Sequence, residues 1–291
     1  MVYVPRQWIT VTEELVGKRT DKLIADYFPS YPRAALHKLF ESEDVLLNDK
    51  VTKPGIKVRL GDNIRIDLLP LEITIADIDL PILYEDDDVL VVNKPAGVIS
   101  HARGRYFDEP SVASFVRQKV AELTGERSGI VHRLDRATSG VMVCAKNPES
   151  LSFLQKQFSD RKTKKTYMAV VVGSMPTETG QIDMPIARNP VKPVTFHVDP
   201  SGKDSVTNYR VISRHGIYTL LELIPVTGRT HQLRVHLTHL KHPIIGDELY
   251  SGEPAERLML HAFSLEIMLP NKELVTFKAP LPDEFNKYIS K

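Results

Sequence analysis

A single cysteine, Cys144, in a chain of 291 residues excludes an internal disulfide and any zinc site built on thiolates. It lies in the apolar run VMVCA and reads as a small buried hydrophobe. No apolar run approaches the length of a membrane helix. The opening MVYVPRQWIT lacks a basic start ahead of an apolar core and lacks a small-residue cleavage site, which argues against secretion. Net charge is nearly absent: 38 Lys and Arg against 37 Asp and Glu leave +1, so any phosphate-bearing partner must be gathered by local clusters. There is no dinucleotide fingerprint, and the two glycines of PAGVISHARG do not make a phosphate loop. Neither an internal repeat nor a low-complexity segment is present.

What is there divides once. Residues 20–40 read as two short helices. Thr20 can cap the first, with Leu23, Ile24 and Tyr27 at helical spacing. Ser30 and Pro32 can open the second, with Leu36, Leu39 and Phe40 facing inward. VLLNDKVTKPGIKVRLGDNIRIDLL then alternates like strands, with turn signals at Asn48-Asp49, Pro54-Gly55 and Gly61-Asp62. These readings predict a small N-terminal α/β domain over 1–72, a proline-bounded linker over 73–81, and a larger domain over 82–291. The larger part predicts strands at 88–93, 141–145, 168–172, 219–224, 258–269 and 274–278. Its helices are expected at 111–123, at 148–158 with Asn147 as cap and Pro148 in the first turn, and at 230–241 on the stripe Leu233, Leu237, Leu240. So many strands for so few helices point to an α+β fold on a mostly antiparallel, mixed sheet.

Within GIVHRLDRATSGVMVCAKN, Asp135 is a lone acid among His132, Arg133 and Arg136. By itself this is a turn carboxylate pairing with a neighbouring arginine. Two further segments add weight. RKTKKTYMAVVVG brings Arg161, Lys162, Lys164 and Lys165 ahead of Tyr167. PVTGRTHQLRVHL places Arg229, His231 and Arg234 in the first turns of a helix. Arg234 sits at the edge of the apolar stripe and needs a carboxylate partner, for which Asp135 is a candidate. Each feature has a plain alternative: Tyr167 as core, RKTKK as a solvated loop, and Arg33, His37 and Lys38 as the wet side of the second helix. His231, His236, His239 and His242 contain no i,i+4 pair, and EDDDV reads as a turn, so no metal site is expected.

HRLDRATSG, KKTYMAV, PVTGRTHQLRVHL with HPIIGDELY, and LMLHAFSL, in that order and after LYEDDDVLVVNKPAGVISH, resemble the motifs of the RluA-type pseudouridine synthase family. Residues 20–68 resemble the alpha-L RNA-binding domain that precedes it in ribosomal large-subunit types. The resemblance implies isomerisation of uridine to pseudouridine in RNA with no cofactor and no metal. Asp135 is implied as the catalytic carboxylate, either attacking the sugar or promoting elimination of uracil. Arg234 is implied as its partner, Tyr167 as the residue against the base, and Leu260 as an apolar packing residue on the uracil. His132, Arg133, Arg136, Lys164, Lys165, Arg229 and His231 would meet the substrate, and Arg33, His37 and Lys38 the RNA backbone.

The implied partner is structured RNA, ribosomal RNA ahead of transfer RNA, worked on by a monomer with no membrane involved. A non-catalytic RNA-binding or ribosome-assembly factor on the same fold is the competing reading. An N-ribosyl hydrolase is a third, distinguished by releasing free uracil. A pure binder has no need of an acid facing an anionic ligand, which favours the synthase.

Overall fold

The computed structural model describes residues 6–72, 78–101, 109–120, 123 and 129–289. Part of the expected linker (73–77) and residues 121–122 of an expected helix lie outside them. Contacts divide the chain into two compact units, the described residues through Glu72 together with Glu109 in the first and residues 78–101 and 110–289 in the second.

The first unit runs β1 (Arg6–Thr10), α1 (Thr20–Tyr27), α2 (Arg33–Glu41), β2 (Val45–Leu47), β3 (Lys50–Val51), β4 (Asn63–Asp67) and α3 (Leu69–Glu72). Its sheet has the order β1-β4-β2-β3, every pair antiparallel. β2 and β3 meet through Asn48 and Asp49, both left-handed (φ 51° and 60°), the combination a tight two-residue hairpin turn requires. Leu23, Ile24, Leu36, Leu39, Ile64 and Ile66 form the core, each contributing about 1.5–3 kcal/mol by burial. Two expectations fail in detail. Thr20 begins α1 instead of capping it, because its hydroxyl donates to the Ile56 carbonyl at 2.8 Å. Tyr27 is half exposed, lying at the last position of the helix. The second helix does start directly after Pro32, without a side-chain cap.

The second unit runs β5 (Ile82–Glu85), β6 (Val89–Lys94), α4 (Val112–Lys119), β7 (Ser139–Ala145), α5 (Pro148–Ser159), β8 (Lys164–Val172), β9 (Thr179–Asp183), β10 (Ile186–Arg188), β11 (Phe196–Val198), β12 (Val206–His215), β13 (Tyr218–Pro225), α6 (Gln232–His239), β14 (Leu260–Met268), β15 (Leu274–Lys278) and α7 (Asn286–Ile289). Nine strands form one sheet ordered β5-β6-β7-β14-β8-β13-β12-β9, with β15 on β14. Every pair is antiparallel except β7 with β14, so the expected α+β fold on a mixed, mostly antiparallel sheet is what forms.

β7 is buried at all seven positions, Cys144 included, whose thiol burial pushes up to about 12. α5 starts as expected: the Asn147 side chain accepts from Ser150 N–H at 2.8 Å and Pro148 occupies the first turn. α4 is closed at its start by a reciprocal Ser111–Ser114 capping box and ends at Lys119, short of the expected 123. β12 was not expected. Its alternating polar residues, exposed on one face, carry a weak apolar signal, and pairing with β13 and β9 makes it a strand. EDDDV is a turn: Asp86 Oδ1 accepts from the Asp88 and Val89 amides at 2.8 and 2.6 Å.

Candidate active site

The parallel β7–β14 pairing is short, Ser139 with His261 and Gly140 with Ala262. It sets the turn ahead of β7 beside the start of β14, and thus Asp135 near Leu260. Gly140 has φ 118°, and a Cβ there would stand 2.2 Å from the Ala262 carbonyl oxygen, so only glycine allows this approach.

The Asp135 turn is clamped on both sides by residues 94–100. Ser100 Oγ donates to the Leu134 carbonyl at 2.7 Å and accepts from the Leu134 amide at 3.0 Å. The Gly97 amide donates to the Arg136 carbonyl at 2.8 Å. Lys94, wholly buried, donates to the carbonyls of Pro95 (2.9 Å), Val98 (2.7 Å) and Arg136 (3.2 Å). Burial lowers the Lys94 pKa to about 7, against a raising influence of the Asp135 charge. Thr138 N–H closes the turn on the Asp135 carbonyl at 3.1 Å.

Opposite stands the β13–α6 loop. The buried amide of Gln232 fixes it, accepting from Thr227 Oγ1 (2.7 Å) and the Arg229 amide (3.0 Å) and donating to Val206 O (2.9 Å) and Thr207 Oγ1 (3.0 Å). His231, in the left-handed region at φ 58°, ends that loop. Its Nδ1 lies 2.8 Å from Tyr250 Oη and its Nε2 3.7 Å from Asp135 Oδ2. Arg229 Nε donates to the Asp204 carbonyl at 3.0 Å.

Arg234 is buried in α6. Its bidentate partner is Asp247, with Nε to Oδ2 and Nη2 to Oδ1 both at 2.7 Å, and Asp135 Oδ2 lies 3.9 Å from Nη1. Burial opposes the guanidinium charge, and the Asp247 hydrogen bonds and charge outweigh it, so the net effect raises its pKa. The Tyr250 ring lies 4.9 Å from the same guanidinium.

A cavity of about 470 Å³ opens between these walls, within the size range of small-ligand sites. Among the described residues lining it, Asp135 is the only carboxylate, beside Arg133, Arg161, Lys165, Arg229 and Arg234. Tyr167 and Leu260 line it together. Burial, then the Asp135 charge, push the Tyr167 phenol well above its ordinary range, so it stays protonated. Burial and the Arg161 charge lower the pKa of Lys165.

Of the sequence candidates, His132, Arg133, Asp135, Lys165, Tyr167, Arg229, His231, Arg234 and Leu260 converge on this cavity. Arg136 and Lys164 do not line it. His132 plays a packing part: stacked on Phe158 (4.4 Å between centroids), it accepts the Val143 amide at Nε2, and burial lowers its pKa to about 3. His236 and His242 go elsewhere, to Thr207 with Met184 O and to Val172 O. Arg33, His37 and Lys38 lie on α2 of the first unit, where Arg33 approaches Asp21 (3.7 Å) and His37 approaches Glu41 (3.6 Å). The sequence reading missed Lys94, Asp247 and Tyr250. NKPAG and GDELY carried them in quoted motifs, but nothing local marks a lysine or an aspartate as buried.

Residues 88–239 match the family described as RNA pseudouridylate synthase. The chain belongs to this family. It is 37% identical to ribosomal large subunit pseudouridine synthase D of Xylella fastidiosa, over 94% of this chain and 89% of that protein. The protein of the same description from Haemophilus influenzae is 36% identical over 94% and 91%. Among solved structures, human RNA pseudouridylate synthase domain containing 1 superposes with a TM-score of 0.59 at 30% identity, covering 69% of this chain and 83% of that one.

Proposed function

We propose that this synthase converts uridine to pseudouridine in large-subunit ribosomal RNA, acting in the cytoplasm as a monomer, with Asp135 as its catalytic carboxylate and no cofactor. The observation that carries this reading is Asp135 standing as the sole acid among the described lining residues of a cation-rimmed cavity. A polyanion would be repelled by an acid that had no chemical task there. The bond from the ribose anomeric carbon to N1 breaks, uracil turns, and C5 takes the anomeric carbon. The C5 proton is lost and N1 gains one, so mass is unchanged.

Asp135 attacks the anomeric carbon or promotes elimination of uracil. Tyr167 and Leu260 hold the turning base between a ring and an apolar wall. Arg234 supplies positive charge beside the carboxylate. Arg133, Lys165 and Arg229 meet phosphates of RNA whose target base is flipped out, and Arg33, His37 and Lys38 meet its backbone.

The test is a pseudouridine map of total RNA from cells lacking the protein, complemented with wild type or Asp135→Asn. Sites lost in ribosomal RNA and restored by wild type alone support the reading. Sites confined to transfer RNA overturn the substrate, and an unchanged map overturns the activity.

A further inference from the structure

We propose that His231 is a positioning residue for Asp135, presenting a neutral Nε2–H to carboxylate oxygen Oδ2 in a tautomer selected by the Tyr250 hydroxyl. The inference rests on the reading of Asp135 as the catalytic carboxylate and adds the group that orients it.

The selection follows from counting donors. Tyr250 Oη accepts the Phe196 amide at 2.9 Å and lies 2.8 Å from His231 Nδ1. Tyr250 is buried, and among the described residues its hydroxyl proton has no other acceptor than His231 Nδ1. The backbone N–H of Phe196 thus occupies the phenol oxygen, the phenol proton points to Nδ1, and the ring proton is left on Nε2. Nε2 faces Asp135 Oδ2 at 3.7 Å, and the donor role requires this separation to shorten to a hydrogen bond in the substrate complex.

Ring orientation is equally constrained. Phe196 and Tyr250 each meet the imidazole edge-on, with centroids 5.6 Å away. The backbone beneath is held at φ 58°, a conformation that non-glycine residues adopt when their surroundings impose it. Desolvation lowers the His231 pKa, against Asp135 and with Arg234, while Asp247 and Arg133 add smaller opposing influences, so the ring is neutral at neutral pH. His231 and Arg234 both approach Oδ2, which leaves Oδ1 for the sugar.

The first experiment reads the tautomer directly, by nitrogen NMR of the full chain labelled at histidine, without RNA. The expected result is Nε2–H for His231, with that preference lost in Tyr250→Phe, which keeps the ring over Arg234. A dominant Nδ1–H form in the wild type overturns the proposal. The second experiment is turnover on structured ribosomal RNA. His231→Phe is expected to lower kcat about 10²-fold, the cost of one preorganised donor, with KM unchanged. His231→Gln, whose amide N–H reaches toward the Nε2 position, is expected to restore most of kcat with the wild-type pH profile. A His231→Phe enzyme with wild-type kcat, or a His231→Gln enzyme as slow as His231→Phe, overturns the donor role. Full activity of Asp135→Asn would instead overturn the reading of Asp135, while the NMR result still decides the tautomer.

Discussion

Asp135 and Lys94 divide the work at the turn ahead of β7. One faces the cavity, and the other is sealed beneath it on three carbonyls. Asp135→Asn keeps the turn's backbone bonds, so it is expected to abolish isomerisation while leaving the thermal melt and RNA affinity near wild type, read by product analysis and filter binding. Lys94 carries a pH signature. Its pKa falls from 10.5 to about 7 on folding, so between those values the unfolded chain holds a proton that the native one lacks. The cost of burying the charge is fully present below about 7 and is relieved as pH rises toward 10.5. Urea melts are therefore expected to show the stability of wild type rising relative to Lys94→Met across that window. A constant difference would count against the buried charge. At this scale Asp135 and the cationic lining residues stood out in short motifs, while Tyr167 and Leu260 were singled out by the family resemblance. The sequence did not mark Asp247 as the bidentate partner of Arg234, since a pairing thirteen positions apart, from inside α6 to the segment beyond it, has no local trace.

Among the elements, the apolar strands and β15 were legible, and β5, β9, β10, β11 and the polar, alternating β12 were not. β6, β7 and the core of β8 are apolar on both faces and read as strands in any context. β12 pairs along its whole length yet alternates polar residues toward solvent, so its identity comes from β13 and β9. The β7–β14 contact rests on Gly140 lacking a side chain. Gly140→Ala is expected to cost about 2 kcal/mol or more in a denaturant melt and to reduce turnover, because the turn ahead of β7 and the start of β14 both carry cavity residues. Asn147→Ala removes the α5 cap and a 2.7 Å bond to Asp88, away from the cavity. It is expected to cost about 1–2 kcal/mol with kcat unchanged.

At the scale of the whole molecule, a net charge of +1 means that RNA affinity must come from placement. Binding measured against salt is expected to lose about 0.7–0.9 from its log–log slope for each of Arg133, Lys165 and Arg229 changed to Gln. The same substitutions outside the rim, at Lys192 for instance, are expected to leave the slope unchanged.

Composition, periodicity and motif order by themselves determined the α+β class, the central strands, three helices of the larger unit and the residue types of the site, because those properties reside in short stretches of chain. Tertiary structure alone decided that Arg234 turns to Asp247, that Lys94 is buried under Asp135, and that Phe196, Tyr250 and His231 form one line of hydrogen bonds toward the carboxylate. Each of those depends on which distant backbone and side-chain groups share a small dry volume, and sequence spacing carries no record of that.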